Sequence, residues 1–322
     1  AEAWPYVEAV LTQAPRAPAA LFIKGELHRR RGEFDLSLRC FRRGEAAGVR
    51  SAPLCVTTGL ALRAAGDVDG ARRAFERALR LDPANADAHG NLARVHGDAG
   101  NLAAARRHGA RALELAPDNA LLRANLGALH LRARDGQAAW ACLVADAPAD
   151  FTAPRPLLLS LAAQLAEADD HPRATRVYRQ LLTLDPVDAD ALNGLAQSQY
   201  MTGDYAAARE GFARLAAEWP DDPRGAYGLG AIARVLGEHA AAHAALRDAL
   251  ASLRRADAPR EARQRVEVEL GFAALAAGDL DAGWRHYGGR WYAHDPDPEA
   301  TLAAQLWQGE PLAGRRLVVL RE

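Results

Sequence analysis

The chain of 322 residues carries a formal net charge of −1, and only one of its 40 basic residues, Lys24, is a lysine. This near-neutral balance provides no broad basic field, which argues against nucleic acid or an anionic membrane surface as a partner. The sequence shows no run of about 18 apolar residues and no signal peptide, and its three cysteines lack the spacing of zinc ligands. We therefore expect a cytoplasmic protein with reduced thiols.

Small residues recur every 34 positions along almost the whole chain. The sequence falls into frames of 34 residues, with one extra residue before the fifth frame and seven before the eighth. The frames begin at Pro18, Ala52, Ala86, Ala120, Arg155, Ala189, Pro223 and Gln264. The eighth place of every frame is Gly or Ala, and the twentieth is Gly, Ala or Ser. Side chains this small at both places predict two helices per frame that cross closely.

Other places of the frame also repeat. Leucine precedes the small residue at the eighth place in six frames, a large apolar or aromatic residue occupies place 24 in six, and proline closes four. The motif Leu81-Asp82-Pro83 recurs as Leu184-Asp185-Pro186. Over roughly residues 1–296 this pattern resembles the tetratricopeptide repeat. The resemblance implies an all-α fold, a right-handed α-solenoid of about eight helix–turn–helix units.

Residues 1–17 are predicted to form the second helix of a truncated unit, and residues 18–296 to form the regular units. In the third unit, the first helix is expected from about Asp87 to Ala99 and the second helix up to about Leu115. Gly100-Asn101 is predicted to form the turn between these helices. Gly permits a positive φ in the turn, and Asn can cap the next helix.

Two interruptions are expected in the row of units. Pro148 should end the second helix of the fourth unit early, since proline cannot donate the intrahelical hydrogen bond. A discontinuity is therefore predicted near residues 146–156. Residues Asp257 to Arg263 are expected to lengthen one connection between helices before the last unit.

Residues 297–322 depart from the repeat pattern. Glu299 to Trp307 is predicted to form a linker helix, and the run from Gly314 to Leu320 to form a buried strand. A single strand is not stable alone. The sequence is therefore expected to stop where an α/β domain starts, as a fragment of a longer protein.

The segment from Leu306 to Leu317, with Trp284-Arg285-His286-Tyr287 and Arg290-Trp291, carries a second resemblance. It is similar to the junction in bacterial proteins that join tetratricopeptide repeats to a glycosyltransferase domain related to O-linked N-acetylglucosamine transferase. The resemblance implies that the parent protein uses a nucleotide sugar. No catalytic residue, metal or cofactor site is assigned within the 322 residues, and whether the parent is an enzyme stays open.

The tetratricopeptide resemblance places the binding surface on the concave side, at places 2, 5, 6, 9, 12 and 13 of each first helix. In the related glycosyltransferase, asparagines at place 6 hold the backbone of an extended polypeptide, because an amide both donates and accepts hydrogen bonds. Here Asn91 and Asn125 stand at place 6, and Asn193 stands one place earlier. The other frames have Ile23, Thr57, Ser160, Gly194, Gly228 and Glu269 at place 6. Peptide binding by the asparagines and an ordinary polar groove are therefore alternatives.

Arginines project from the same predicted surface, namely Arg29, Arg30, Arg63, Arg94, Arg132 and Arg234. Tyr227 completes the predicted groove. Guanidinium groups bind carboxylates bidentately, so these residues are candidates for clamping an acidic segment. The alternative is a solvated or ion-paired surface.

Several histidines occupy places where the repeat has aromatic residues, and they are expected to pack against neighbouring helices. They are His28, His89, His96 and His130. His239 and His243 are spaced i, i+4 on a helix, a spacing that can share a metal ion, but no third ligand lies nearby in sequence. We therefore predict no metal site.

Two classes of function remain. The first is a protein-binding scaffold that recruits acceptor proteins, or extended peptides, to a bacterial protein glycosyltransferase. The second is a non-enzymatic adaptor for secretion, for surface structures or for chaperone partners. Self-association through the irregular unit near Trp140 or through the terminal repeats is a further possibility.

Overall fold

The computed structural model describes residues 3–287. This range contains helices joined by turns and loops and no β-strand, which confirms the predicted all-α class. The linker helix and the strand predicted within residues 297–322 lie outside the described residues. The α-helices, in chain order, are α1 Ala3–Gln13, α2 Pro18–Arg30, α3 Phe34–Ala46, α4 Ala52–Ala64, α5 Val68–Leu81, α6 Ala86–Asp98, α7 Leu102–Leu115, α8 Ala120–Arg132, α9 Gly136–Trp140, α10 Arg155–Glu167, α11 His171–Leu184, α12 Ala189–Met201, α13 Tyr205–Glu218, α14 Pro223–Val235, α15 His239–Arg255, α16 Arg260–Ala276 and α17 Leu280–Tyr287.

Consecutive helices pack as pairs, and each pair is one repeat. The contacts within pairs are extensive for α2 with α3, α4 with α5, α6 with α7, α12 with α13, α14 with α15 and α16 with α17. Seven of the eight predicted frames begin at the first residue of a helix, from α2 to α14. The chain divides into two compact units, residues 1–164 and 165–322, of which 3–164 and 165–287 are described.

In the first unit, the two helices of a repeat cross where their facing side chains are smallest. A Cβ atom on Gly59 of α4 would lie 2.5 Å from the ring of Phe75 on α5, and one on Gly25 of α2 would clash with the ring of Phe41. At place 20 the side chains are completely buried, as in Ser37 and Ala71. The small residues therefore let an aromatic ring of the second helix lie directly on the first helix.

The turn between the two helices of a repeat uses a Gly followed by a capping residue. Gly66 and Gly100 have φ values of 89° and 77°, in the left-handed region that only glycine adopts at little cost. The next residue caps the following helix: Asp67 Oδ1 accepts from the Gly70 amide at 2.7 Å, and Asn101 Oδ1 accepts from the Ala104 amide at 3.2 Å.

The fourth repeat is irregular. Its second helix consists of α9, which has five residues, and a π-helical turn at Ala141–Ala145 that ends before Pro148. The buried guanidinium of Arg123 on α8 supports this segment. It donates to the carbonyl oxygens of Cys142, Asp146 and Pro117 at 3.2, 3.1 and 3.0 Å. These bonds satisfy carbonyl groups at the end of the short helix and in the loop before α8.

In the second unit, two aromatic residues at place 24 pack against glycines of the next repeat. The ring of Tyr178 on α11 occupies the space that a side chain at Gly194 of α12 would fill. The ring of Phe212 on α13 lies in the same way against Gly228 of α14. These contacts join consecutive repeats through their apolar cores.

The expectation of a long connection at Asp257 to Arg263 was wrong. Helix α15 continues to Arg255 and α16 already begins at Arg260, so the two helices are joined by residues 256–259. Pro259 stands at the N-cap of α16, where its missing amide proton costs nothing, and residues 260–263 contain only good helix formers. The extra residues lengthen α15, the second helix of one repeat, and α16, the first helix of the next repeat, to 17 residues each.

Candidate binding face on the first helices

The side chains at places 2, 5, 6, 9, 12 and 13 of the first helices form a surface that we call the first-helix face. In the first unit α2 contacts α4 and α6 contacts α8, and in the second unit α12 contacts α14. In these three pairs the first helices of successive repeats are therefore neighbours. Side chains one turn apart on a helix share a face, so each repeat contributes several groups to the same surface.

The predicted asparagines do not form a continuous row. Asn91 is partly buried, and its Nδ2 donates to the Asp87 carbonyl of its own helix at 2.8 Å. Asn125 is exposed, and Asn193 is partly buried. The amide of Asn91 therefore keeps its oxygen as a hydrogen-bond acceptor, while one of its protons is already used.

The two glycines at place 6 interrupt this row for a packing reason. Gly194 and Gly228 are the residues against which Tyr178 and Phe212 pack, and any Cβ there would collide with the ring. In these two repeats place 6 therefore serves the contact between repeats and carries no side chain for a ligand.

Most of the predicted arginines are engaged within the protein. Arg29 donates to Glu26 through Nε and Nη2 at 2.8 and 2.6 Å, and this pair raises the pKa of Arg29 and lowers the pKa of Glu26. Arg30 also donates to Glu26, at 3.2 Å. Arg132 Nη2 donates to the Gly97 carbonyl of the preceding repeat at 2.8 Å, and Arg234 pairs with Glu269 at 3.1 Å.

Arg63 on α4 and Arg94 on α6 differ from these arginines. Within residues 3–287 neither forms an ion pair or donates a hydrogen bond. Burial lowers the pKa of Arg63, and the positive charge of Arg94 lowers it further, while the carboxylate of Asp98 has a smaller opposite effect. The carboxylate of Asp98 thus offsets only part of the effect of burial and of Arg94 on Arg63.

The first-helix face of the second unit carries several exposed large apolar side chains. Tyr227, Met201, Val235 and Phe272 are exposed to 38, 56, 46 and 42 %, respectively. Burial raises the pKa of Tyr227, and the nearby carboxylate of Glu269 adds to the effect. A surface with this many uncovered large side chains is typical of a binding site for another molecule.

A histidine cluster that sequence analysis missed lies between α6 and α7. His89 and His108 approach to 3.0 Å between their Nδ1 atoms, and the ring of His96 stacks on His108 at 5.6 Å between centroids. Burial, then the neighbouring His89 and His96, lower the pKa of His108 to about 4. The signal was present in the sequence, since His108 is at place 23, where the second helix faces the first.

The other histidines pack locally. His28 is buried against the ring of Trp4, and His239 Nδ1 is buried without a partner. Within residues 3–287 no group of three or more His, Cys, Asp or Glu side chains is arranged to hold a metal ion. The helices of this part of the chain are also too short or too polar to cross a membrane.

Comparison with protein-family models matches the tetratricopeptide repeat to residues 1–49, 56–120, 159–223 and 202–260. Together these segments include more than half of the chain. A search of the curated proteins finds no match.

Solved structures with a similar fold are also repeat proteins. The C-terminal part of a TPR repeat-containing protein from Cytophaga hutchinsonii is 13 % identical, with a TM-score of 0.55 over 71 % of this chain and 94 % of that one. A tetratricopeptide repeat protein from Parabacteroides merdae is 16 % identical, with a TM-score of 0.46 over 80 % and 98 % of the two chains. Naa15/Naa10 bound to HypK-THB matches at 17 % identity, with a TM-score of 0.49 over 92 % and 47 % of the chains. At such identities the Cytophaga match supports the fold alone.

Proposed function

Because the chain belongs to the tetratricopeptide-repeat family, whose repeats are protein-binding scaffolds, we propose that its first-helix face binds an extended segment of a partner protein. The observation that supports this most is the set of large apolar side chains left uncovered on the second unit. Tyr227, Met201, Val235 and Phe272 all occupy places 5, 9 or 13 of first helices. Aromatic and Met side chains of this kind are enriched at the centre of protein interfaces.

Site-specific photo-crosslinking tests this proposal. A benzophenone amino acid replaces Tyr227 on the first-helix face or, as the matched control, the exposed Glu210 on the second helix α13. We expect the full-length protein to crosslink a partner from position 227 and not from 210, and the double change Tyr227→Ala with Phe272→Ala to weaken recovery of that partner. Equal crosslinking from both positions would place the binding surface elsewhere.

The partner we propose is an acceptor protein for a glycosyltransferase that takes a nucleotide sugar. The support is the resemblance carried by Trp284-Arg285-His286-Tyr287, by Arg290-Trp291 and by the segment from Leu306 to Leu317. Arg290-Trp291 and the segment from Leu306 to Leu317 lie outside the described residues.

Sugar transfer by the full-length gene product decides between this proposal and a non-enzymatic adaptor. Incubation with radiolabelled nucleotide sugars and the crosslinked partner should label the partner. If the partner still binds but no sugar is transferred from any nucleotide sugar, the adaptor role for secretion, surface structures or chaperones is favoured.

A further inference from the structure

Histidine rings join the two helices of the third repeat. In the second repeat the ring of Phe75 stands at place 24 of the second helix, whereas the third repeat has Gly109 at this place. Ionisable rings lie nearby instead, from His89 and His96 on α6 and from His108 on α7. The contact between these two helices therefore depends in part on groups that gain protons in mild acid.

The contact between His89 and His108 holds a single proton. His89 Nε2 lies 3.3 Å from the carbonyl oxygen of Pro83, which can only accept, so this nitrogen carries the proton of the neutral ring. The bare Nδ1 of His89 then accepts from Nδ1 of His108 at 3.0 Å. The ring centroids are 5.2 Å apart, so both nitrogens lie close to the line between the rings. These two hydrogen bonds connect the loop before α6, α6 itself and α7.

This geometry limits the number of protons that the cluster can take up. One added proton can be shared, because each ring then carries a proton on Nε2 and one proton stays between the two Nδ1 atoms. A second added proton would turn two N–H groups against each other and place two positive charges side by side. The ring of His96 stacks on His108 at 5.6 Å between centroids and 11° between planes, so its protonation adds a charge to the same cluster. Full protonation therefore favours separation of the rings.

The surroundings of His108 oppose its protonation. Burial lowers its pKa to about 4 from the ordinary 6.5, and nearby groups that carry or can gain a positive charge lower it further, namely His89, His96 and Arg107. The carboxylate of Glu76 on α5 has a smaller and opposite effect. On the side of α8, the closest atoms to the neighbouring Gly109 belong to the uncharged Leu126 and Leu129. The folded cluster is thus held in its neutral form.

We propose that the three histidines make the third repeat a pH-sensitive element, in which α6 and α7 separate locally in mild acid while the other repeats stay folded. Each repeat contacts mainly its sequence neighbours, so one repeat can open without unfolding of the whole chain. Because α6 carries Asn91 on the first-helix face, this part of the face changes with pH.

Hydrogen exchange of the full chain at about pH 7 and about pH 5 tests the proposal, after correction for the intrinsic exchange rate at each pH. The opened state takes up a proton near the ordinary histidine pKa of 6.5, and the folded state only near 4. Amides of α6 and α7 should therefore lose protection by about tenfold or more, and amides from α12 to α15 by less than about twofold. Unchanged protection of α6 and α7, or an equal loss in all repeats, would overturn the proposal.

A double variant shows whether the histidines are the source. Glutamines in His89→Gln with His108→Gln can form hydrogen bonds but do not titrate, so the change between the two pH values should shrink to less than about threefold. The ratio is taken within each protein, and a variant that opens more at both pH values still reports it. His243→Gln changes a partly buried histidine of α15 and should keep the response of the parent. A full response in the double variant would contradict the proposal.

The protons themselves can be located in the unaltered protein. Long-range proton–nitrogen NMR spectra of the histidine-labelled chain at about pH 7 should show His89 protonated on Nε2 and His108 on Nδ1. Any other pair of tautomers rules out the single shared proton. None of these measurements uses a partner, so failure of this inference is distinguishable from failure of the crosslinking test.

Discussion

In the first two repeats, glycine at place 8 makes room for an aromatic ring of the second helix. Gly59 illustrates this, since its missing Cβ would lie 2.5 Å from Phe75, which is completely buried and cannot move aside. The third repeat shows the exchanged arrangement: Ala93 stands at place 8 and faces Gly109, whose own Cβ would lie 3.7 Å from that of Ala93. The third repeat therefore lacks the contact of a ring on a glycine, and Leu126 and Leu129 of the next repeat approach Gly109 instead.

We therefore predict that Gly59→Ala lowers the free energy of unfolding by about 1–3 kcal/mol through overpacking. Gly44 of α3 is the matched control, because the nearest atom to its added Cβ is Leu21 Cβ at 4.0 Å. Gly44→Ala should be neutral or stabilise by up to about 1 kcal/mol through helix propensity. Urea denaturation of both variants checks this, and equal effects would show that helix propensity, not the ring, decides the residue at place 8.

His108 makes stability depend on pH. Its pKa in the folded protein is lowered to about 4 from its ordinary value of 6.5, so the unfolded chain binds its proton first as the pH falls. The free energy of unfolding should then decrease by up to about 1.4 kcal/mol per pH unit between these two values. The free energy of unfolding therefore keeps its full value above the ordinary histidine pKa of 6.5 and decreases as the pH falls below it.

The variant His108→Gln isolates this contribution. As the pH falls from about 7 to about 5, we expect the free energy of unfolding of His108→Gln to decrease less steeply than that of the parent. The difference in free energy of unfolding between the two proteins therefore becomes smaller. Urea denaturation at several pH values measures both slopes. Parallel pH profiles would mean that His108 is not the source of the loss of stability in acid.

At the scale of single residues, some of the candidate site followed from the sequence and some did not. The spacing of 34 residues places Arg63, Arg94 and Tyr227 on one kind of surface, because helical periodicity depends on position alone. Which arginines keep a free charge depends on the residues that approach them. Glu26 lies on the same helix as Arg29 and is visible in the sequence, whereas the Gly97 carbonyl that binds Arg132 belongs to another repeat.

At the scale of helices, the regular repeats were predictable and the irregular ones were not. Turn glycines and capping residues mark helix ends locally, so α6 and α7 lie within one or two residues of the expected bounds. The short second helix of the fourth repeat was expected from Pro148, but its π-helical turn was not, and Arg123, which donates to the Cys142 carbonyl of that turn, is distant in sequence. The helical residues 260–263 were expected in a loop, since composition alone does not show whether an insertion extends a helix.

Arg123 should be essential for the fourth repeat. Arg123→Met removes the donor from three carbonyl groups at Cys142, Asp146 and Pro117 while keeping much of the side-chain volume. We expect a loss of about 2–3 kcal/mol, because buried acceptors are left without hydrogen bonds. Fluorescence of the buried Trp140 in α9 reports on the same segment and should shift to longer wavelength.

The exposed Arg107 of α7 is the control for this change. Arg107→Met should alter stability by less than about 0.5 kcal/mol, as surface substitutions usually do. If Arg123→Met proves as stable as the parent, water satisfies these carbonyls and the guanidinium is not needed for the π-helical turn.

Across the whole molecule, charge is balanced locally between neighbouring repeats. Arg106 pairs with Asp135 at 3.1 Å, Arg209 pairs with Glu238 at 2.9 Å, and Arg77 pairs with Glu45. Each of these pairs joins one repeat to the next along the chain. Exposed pairs of this kind contribute little stability individually.

Stability itself should also be local, because each repeat contacts mainly its sequence neighbours. We predict that Gly59→Ala raises amide hydrogen exchange in α4 and α5, with smaller increases in the flanking repeats and none from α12 to α15. Exchange measured by mass spectrometry on the full chain tests this, with Gly44→Ala as the control that leaves protection unchanged or higher. A uniform increase along the chain would instead require all repeats to unfold in one cooperative step, since only then does a clash in the second repeat weaken the sixth and seventh equally.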